Sequence, residues 1–476
     1  MTHSFDRTQI FSFLGLGALS IASVLSAFYM DALYLMLVPF ALLFVGIGII
    51  NFRVLYYLLL FSLPLSFEFS FGPSLGTDLP DEPLMIGMLL LAIVYVFQNP
   101  ASLPLGFFRH VMILALLAHL FWILITCFTS INVLVSTKVF LSKLWYVGSF
   151  TVMTAIVVKT NEDLKKVFWC IYIPLTVLVI QAIIRHGLAG FPFDEVNKAM
   201  PPFFRNHVNY AAMLSIFLPF ILMARQWYGR ATATRKLLSA SVLLYVVAIY
   251  LSYTRTCYIA VLAIAPFIFV VKQRWIKPAL LTVAVVVAIF CGYLAHNNNY
   301  LKFAPEFETT IYHDELSDHL ASTFEGKDVS SMERVYRWIA IAHMFQERPV
   351  FGFGAGNFFP YYQRYTVTSF ETYISDNEER STAHNYFLLL LAEQGISGLA
   401  VFLLLTAVLF IYGENIYYRM KSDADKHLVL WLLVILAMVY VNLLLSDLLE
   451  ADKVGPFFFI AIALLVSLDR REQKAT

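Results

Sequence analysis

Charge is scarce in this sequence. Only 14% of its 476 residues are charged, against about 25% in soluble proteins, and 33 basic and 32 acidic residues leave a net charge of +1. No field of one sign is present to gather polyanions, which argues against a nucleic-acid partner. The four cysteines, Cys127, Cys170, Cys257 and Cys291, stand singly inside apolar runs. Without a CxxC pair or a metal-ligand spacing they give neither a disulfide framework nor a zinc site. HExxH is missing too, and with it the metalloprotease signature it carries. There is no internal repeat and no matching set of Gly/Pro-broken spans in two halves, the pattern of many repeat-built transporters.

What is abundant is apolar. Hydrophobic residues make up 60% of the chain, against about 45–50% in soluble proteins, which excludes an ordinary soluble enzyme. Apolar runs recur near 10–28, 32–50, 54–66, 84–97, 111–128, 140–158, 167–184, 208–223, 237–253, 257–271, 278–295, 385–411, 428–446 and 454–468. At about 20 residues per crossing, the expected fold is an all-α polytopic transmembrane helical bundle of about 12 to 14 spans. The lower count applies if the short runs at 54–66 and 84–97 form a re-entrant pair. The first run is kept as a span because only Arg7 precedes it and no A-x-A site follows. The expected organisation is N-terminal helices over 1–190, central helices over 191–296, one large external loop with short helices over 297–383, and C-terminal helices over 384–476. With the N-terminus inside, 19 of the 33 Lys and Arg fall on the cytoplasmic side, and seven of the remainder sit in the long loop, a poor voter. Both termini are expected in the cytoplasm.

A few ionisable residues then need an explanation. At Ser252–Thr256 the chain leaves one apolar run and enters the next with almost no loop, which holds Arg255 at the outer membrane boundary. An Arg within a span costs about 2.5–3.5 kcal/mol on insertion scales, so it should face protein or a wet cavity. It reads either as an interfacial Arg that snorkels or pairs with a carboxylate, or as an anion site. In residues 330–349, Ser330 and Glu333 form a capping box and Pro349 marks a stop, so the pattern predicts a helix over 331–346. Arg334 and Arg337 share one face of its first turns, where a helix N-terminus already attracts negative charge. For an arbitrary pair, solvated partners of the acidic loop are the commoner case; for an anion site, two guanidiniums clamp a diphosphate. Ser381 or Thr382 is a plausible N-cap for the run that follows, which places His384 in a first helical turn, where it reads either as a structural histidine, the commoner case for a lone His at a helix start, or as a neutral one able to accept a proton. Glu393, Gly395 and Gly398 interrupt that run and imply a break or a close helix contact. The 352–359 segment GFGAGNFF lacks the Lys-Ser/Thr of a phosphate loop and reads as a tight turn. Asp423-Ala-Asp425 matches the DxD of metal-dependent transferases but sits among lysines in a short cytoplasmic loop, where a solvated cluster is the better reading. Asp447, Glu450 and Asp452 form an acidic turn that offers a place for a cation or an acceptor.

Taken together, SYTRT at 252–256, MERVYRWIAIAHMFQERPVFGFGAGNF at 332–358 and STAHNYFLLLLAEQGISGLAVFLLL at 381–405 resemble the O-antigen ligase and O-antigen polymerase superfamily of bacterial membrane glycosyltransferases. PFFRNHVNYAAML at 202–214 resembles the family's segment entering an earlier span, while 1–190 resembles it only as generic spans. One departure is Thr256, where many relatives have Gly. The resemblance implies transfer of a glycan from an undecaprenyl-diphosphate-linked donor to a hydroxyl of a glycan or lipid-core acceptor. The reaction would run at the outer face of the bacterial cytoplasmic membrane, in contact with membrane lipids, with no cofactor, metal or nucleotide sugar. By motif position Arg255, Arg334 and His384 would be catalytic, with Arg337, Arg205, His207, Asn385 and Glu393 as further substrate-binding candidates. A repeat-unit polymerase is the alternative within the superfamily, and a lipid-linked glycan transporter the alternative from another class.

Overall fold

In the computed structural model, the residues described are 15, 17–23, 25–26, 29–30, 37–72, 75–99, 105–303, 329–372, 375–377 and 381–475. Residues 10–14, 16, 24, 27 and 28 of the first expected run, and loop residues 304–328, lie outside them. The described residues are mainly helical. In chain order we label α1 Leu37–Ser62, α2 Asp81–Gln98, α3 Val111–Thr129, α4 Val133–Val157 and α5 Asn161–Leu188. There follow α6 His207–Ala224, α7 Ala233–Leu251, α8 Arg255–Lys272 and α9 Ile276–Ala295. Then come α10 Val329–Glu347, α11 Tyr386–Arg419, α12 Asp423–Leu443 and α13 Gly455–Ala475. Among the described residues ten helices are long and apolar enough to cross a membrane, and eleven if the bent pair Leu42–Gly48 and Ile50–Leu65 is one span. The chain is therefore a multi-pass membrane protein. The two limbs of that pair meet at 115°, with Asn51 outside helical geometry at the break. The run at 84–97 forms a full helix, α2, separated from 54–66 by two short strands, so the two runs do not pair as a re-entrant unit.

Polar side chains mark the starts. Asn132, Thr160, Asn206, Thr232, Asn385 and Ser422 each accept a backbone N–H of the first turn they precede. Such caps satisfy donors that a membrane end cannot leave bare. α12 and α6 form the buried centre; α12 packs on α8, α13, α6 and α11. α9 is exposed almost throughout, with Leu281, Val286 and Ile289 more than half exposed, as suits a helix whose neighbour is hydrocarbon.

Between α1 and α2 the sequence analysis expected no strand, and the structure has an antiparallel hairpin. Phe67–Gly72 pairs with Leu75–Leu79, with Glu68 opposite Asp78. It is braced from far along the chain: Lys453 Nζ donates to the carbonyls of Leu63 (3.0 Å) and Ser66 (2.7 Å), and Ser66 Oγ donates to Asp452 Oδ2 at 2.7 Å. Alternation of helix direction puts the starts of α2, α6, α8 and α11 and the end of α12 at one end of the bundle, with this hairpin. The other end holds the start of α12, including Asp423 and Asp425, and the charged end of α13. Asp423 and Asp425 occupy the first turn of α12 after the Ser422 cap, which is where a helix dipole favours carboxylates.

Candidate active site

The chain reverses between α7 and α8 in three residues, Ser252 to Thr254, with Tyr253 in the left-handed region (φ 56°). Tyr253 Oη donates to the Phe191 carbonyl at 2.7 Å, which fixes the turn. Arg255 thus becomes the first residue of α8, half-buried, where the helix dipole adds to its own charge. Beside it, Thr254 Oγ1 donates to the His207 carbonyl at 3.4 Å, tying the start of α8 to the start of α6. His207 is oriented by Asn197, whose Oδ1 lies 2.8 Å from Nδ1 and 3.1 Å from the backbone N–H. Arg205, exposed, precedes the Asn206 cap of the same helix.

The second strand of the site is α10 and the segment it grips. α10 begins at Val329, earlier than the capping box predicts, so Ser330 lies within the helix and Glu333 is released from any capping role. Glu333 is instead buried and accepts from Thr372 Oγ1 (2.6 Å), Ser375 Oγ (2.5 Å) and Arg337 (3.2 Å). Arg337, also buried, uses its other terminal nitrogen on the Thr382 carbonyl at 3.2 Å, and Trp338 Nε1 donates to the Ala383 carbonyl at 2.9 Å. Two successive carbonyls before His384 are therefore clamped by one helix. Thr382 Oγ1 donates to Asp447 Oδ2 from the other side.

His384 is not in a helical turn. The N-cap of α11 is Asn385, whose side chain accepts from Leu388 N–H and donates to the Leu444 carbonyl, each at 2.9 Å. His384 stands just before it with φ 49°, a left-handed conformation unusual for a residue with a Cβ, held by the clamped carbonyls on one side and the cap on the other. Its imidazole is pushed down to about 3, first by burial, then by the charges of Arg334 and Arg337. The ring is therefore neutral at physiological pH, and two guanidiniums lie within electrostatic reach of it. Arg334 is half-buried on α10.

The two parts meet over the end of α12. Cys257, two residues into α8, is 3.6 Å from Asn442 Oδ1, and Asn385 of α11 bonds Leu444 just beyond it. Arg255, Arg334, Arg337, His384, Arg205 and His207 all belong to this end of the bundle. Asn385 is committed to capping. Glu393 lies two turns along α11, buried, accepting Phe358 N–H at 3.0 Å. It holds the glycine loop, whose Gly354 N–H donates to the Glu393 carbonyl (2.7 Å), while α11 breaks at Gly395 (φ 68°). The sequence reading passed over Trp338 and the Asp447–Thr382 contact; Asp447 stood out in the acidic turn, whereas Trp338 gave no signal beyond sharing the Arg334 face.

No curated protein matches the chain. Residues 240–403 match the O-antigen ligase family. That segment contains Arg255, Arg334 and His384 and leaves Arg205 and His207 outside it. Over this segment, about a third of the chain, the sequence is similar to that family.

Proposed function

We propose that the chain transfers a glycan from an undecaprenyl-diphosphate carrier to an acceptor hydroxyl at the outer face of the cytoplasmic membrane, as a ligase. The observation that carries this reading is the neutral His384 held beside two arginines at the bundle end where α8 presents Arg255. As the glycosidic bond breaks, the leaving diphosphate gains negative charge. Guanidiniums of Arg255 and Arg334 already in place stabilise that state more than the ground state, each charge-assisted hydrogen bond contributing about 1.5–3 kcal/mol. No metal is needed for this charge stabilisation. His384 takes the proton of the attacking hydroxyl. In the free chain burial, and then the arginines, hold its basicity low; a bound diphosphate offsets the arginines' charge and raises it, so the base is strengthened when the donor is present. Arg337 positions His384 through the Thr382 carbonyl instead of meeting substrate.

The outward orientation is supported by where the cations lie. Lys159, Lys165, Lys166, Arg225, Arg235, Lys272, Arg274, Arg419, Lys421, Lys426, Arg470 and Arg471 all sit at the end opposite His384, which supports reading that end as the cytoplasmic one. On this reading both termini are assigned to the cytoplasm, as the positive-inside balance of the sequence expects. The test uses purified protein in lipid with an undecaprenyl-diphosphate glycan and candidate lipid-core acceptors. Transfer that falls tenfold or more in Arg255→Ala is expected. Failure of every acceptor, together with full activity of Arg255→Ala in cells, would overturn the reading. Elongation of the donor glycan in place of transfer to lipid core would select the polymerase.

A further inference from the structure

A cavity opens at the same end of the bundle and takes no part in the steps above. Its volume is about 380 Å³, within the range of about 300–1,000 Å³ that small-molecule sites occupy. One wall is the hairpin, where Glu68 and Asp78 are direct cross-strand partners and therefore project from the same face. Two like charges so placed repel unless something supplies hydrogen-bond donors between them. The facing wall is Asp452 and Lys453, with Asn209 and Arg205 at the start of α6. Phe67 and Phe203 line it with partly exposed rings.

Several ligand classes fail to fit this lining. A phosphate meets carboxylates on two walls. A divalent cation finds Lys453 among the carboxylates, and among the described residues no group of three or more His, Cys, Asp or Glu is arranged to hold a metal. The acidic turn does not act as one unit, because Asp447 is turned to Thr382 and Asp452 to Ser66. A saccharide ring fits. Its hydroxyls donate to Glu68, Asp78 and Asp452, and its C–H face lies on an aromatic ring. Asp78 is raised to about 7, by burial first and then by Asp452, Glu82 and Glu68 against the opposing Lys453, so near neutrality it carries a proton part of the time and can donate as well as accept.

Two short segments join this cavity to the cationic site. Asn209 is in the first turn of α6, whose His207 carbonyl receives Thr254, the neighbour of Arg255. Asp452 is five residues beyond Asp447, which receives Thr382, two residues before His384. From these contacts we infer that the cavity between the hairpin and the 451–453 segment is the subsite for the acceptor, an uncharged sugar ring whose hydroxyl is presented to His384. This rests on the transferase reading for its role, though not for its chemistry: an acidic pocket beside a diphosphate site admits a neutral sugar and excludes a second diphosphate.

The test is direct binding to the full chain in lipid nanodiscs, read by saturation-transfer NMR with glucose, galactose, N-acetylglucosamine and glucuronate. Saturable binding of a neutral sugar, stronger than glucuronate and about tenfold weaker in both Glu68→Gln and Phe203→Ala, is expected. Arg255→Ala should bind the sugar as wild type does. In the transfer assay the two variants should raise KM for the acceptor about tenfold and leave KM for the donor unchanged. No saturable neutral-sugar binding, or binding untouched by both variants, overturns the site; a rise in donor KM alone overturns its assignment to the acceptor. Because the sugar is read without turnover, a chain that binds it and transfers nothing supports the subsite and counts against the transferase reading.

Discussion

At the scale of single residues, the arrangement makes each candidate separable by experiment. Arg255→Ala should lower kcat/KM by tenfold or more, since one charge-assisted contact to the leaving diphosphate is lost. His384→Ala should be nearly inactive, by about 10²–10⁴-fold, while folding and inserting normally, because the backbone before it is held by Arg337 and Trp338 at the carbonyls of Thr382 and Ala383. The pH profile carries a signature. The imidazole of the free chain, depressed to about 3, stays neutral as pH falls from 8 to 5, so kcat/KM should show no acid limb near the usual imidazole value of about 6.5. With donor bound the diphosphate raises it, so the acid limb of kcat should lie at higher pH than that of kcat/KM. Coincident limbs near 6.5 would contradict the burial and the guanidinium effect together. These residues were legible in the sequence because charge inside an apolar chain is expensive. The left-handed turn at His384 was not legible, since nothing in Ser381–Asn385 distinguishes a cap at Thr382 from one at Asn385 until Arg337 and Trp338 claim the carbonyls between.

At the scale of elements, the glycine loop and the break in α11 form one joint. Gly395 has φ 68°, and a Cβ there would stand 2.3 Å from the Val350 carbonyl oxygen; a Cβ on Gly354 (φ 96°) would stand 2.1 Å from Ser130 Oγ. Gly395→Ala should therefore cost about 1–3 kcal/mol in backbone strain before the clash is relieved. A lower melting temperature and faster proteolysis at 348–357 would report it; unchanged values would show the joint to be slack. The spacing of Glu393, Gly395 and Gly398 exposed the break in advance. The hairpin between α1 and α2 stayed hidden, because FEFSFG has the alternation of a strand but too little length to stand apart from the apolar runs around it, and its stability comes from Lys453, nearly 400 residues away. Helix α10 was legible in place and polarity. Its start shifted because Glu333 found three buried partners from distant segments and its own helix, worth more than the local box.

For the whole molecule, the end-to-end sorting of charge is the property that function depends on, and it can be read chemically. In a Cys291→Ser background, Asn297→Cys should react with an impermeant maleimide on intact cells, whereas Ser422→Cys should react only after permeabilisation. The reverse pattern would put His384 in the cytoplasm. The brace between the halves can be tested as well. Lys453→Met leaves the Leu63 and Ser66 carbonyls without their donor, at about 1–3 kcal/mol each, and should loosen the hairpin in hydrogen exchange. By itself the sequence determined that this chain lives in a membrane as packed helices, because apolar runs of crossing length have no other stable place. It also determined which few charges had to be accounted for. Only the tertiary structure decided that a carboxylate such as Glu333 or Glu393 serves the scaffold while His384 stands neutral beside arginines. Those roles are set by burial and by partners distant along the chain, and proximity in three dimensions is not written in local pattern.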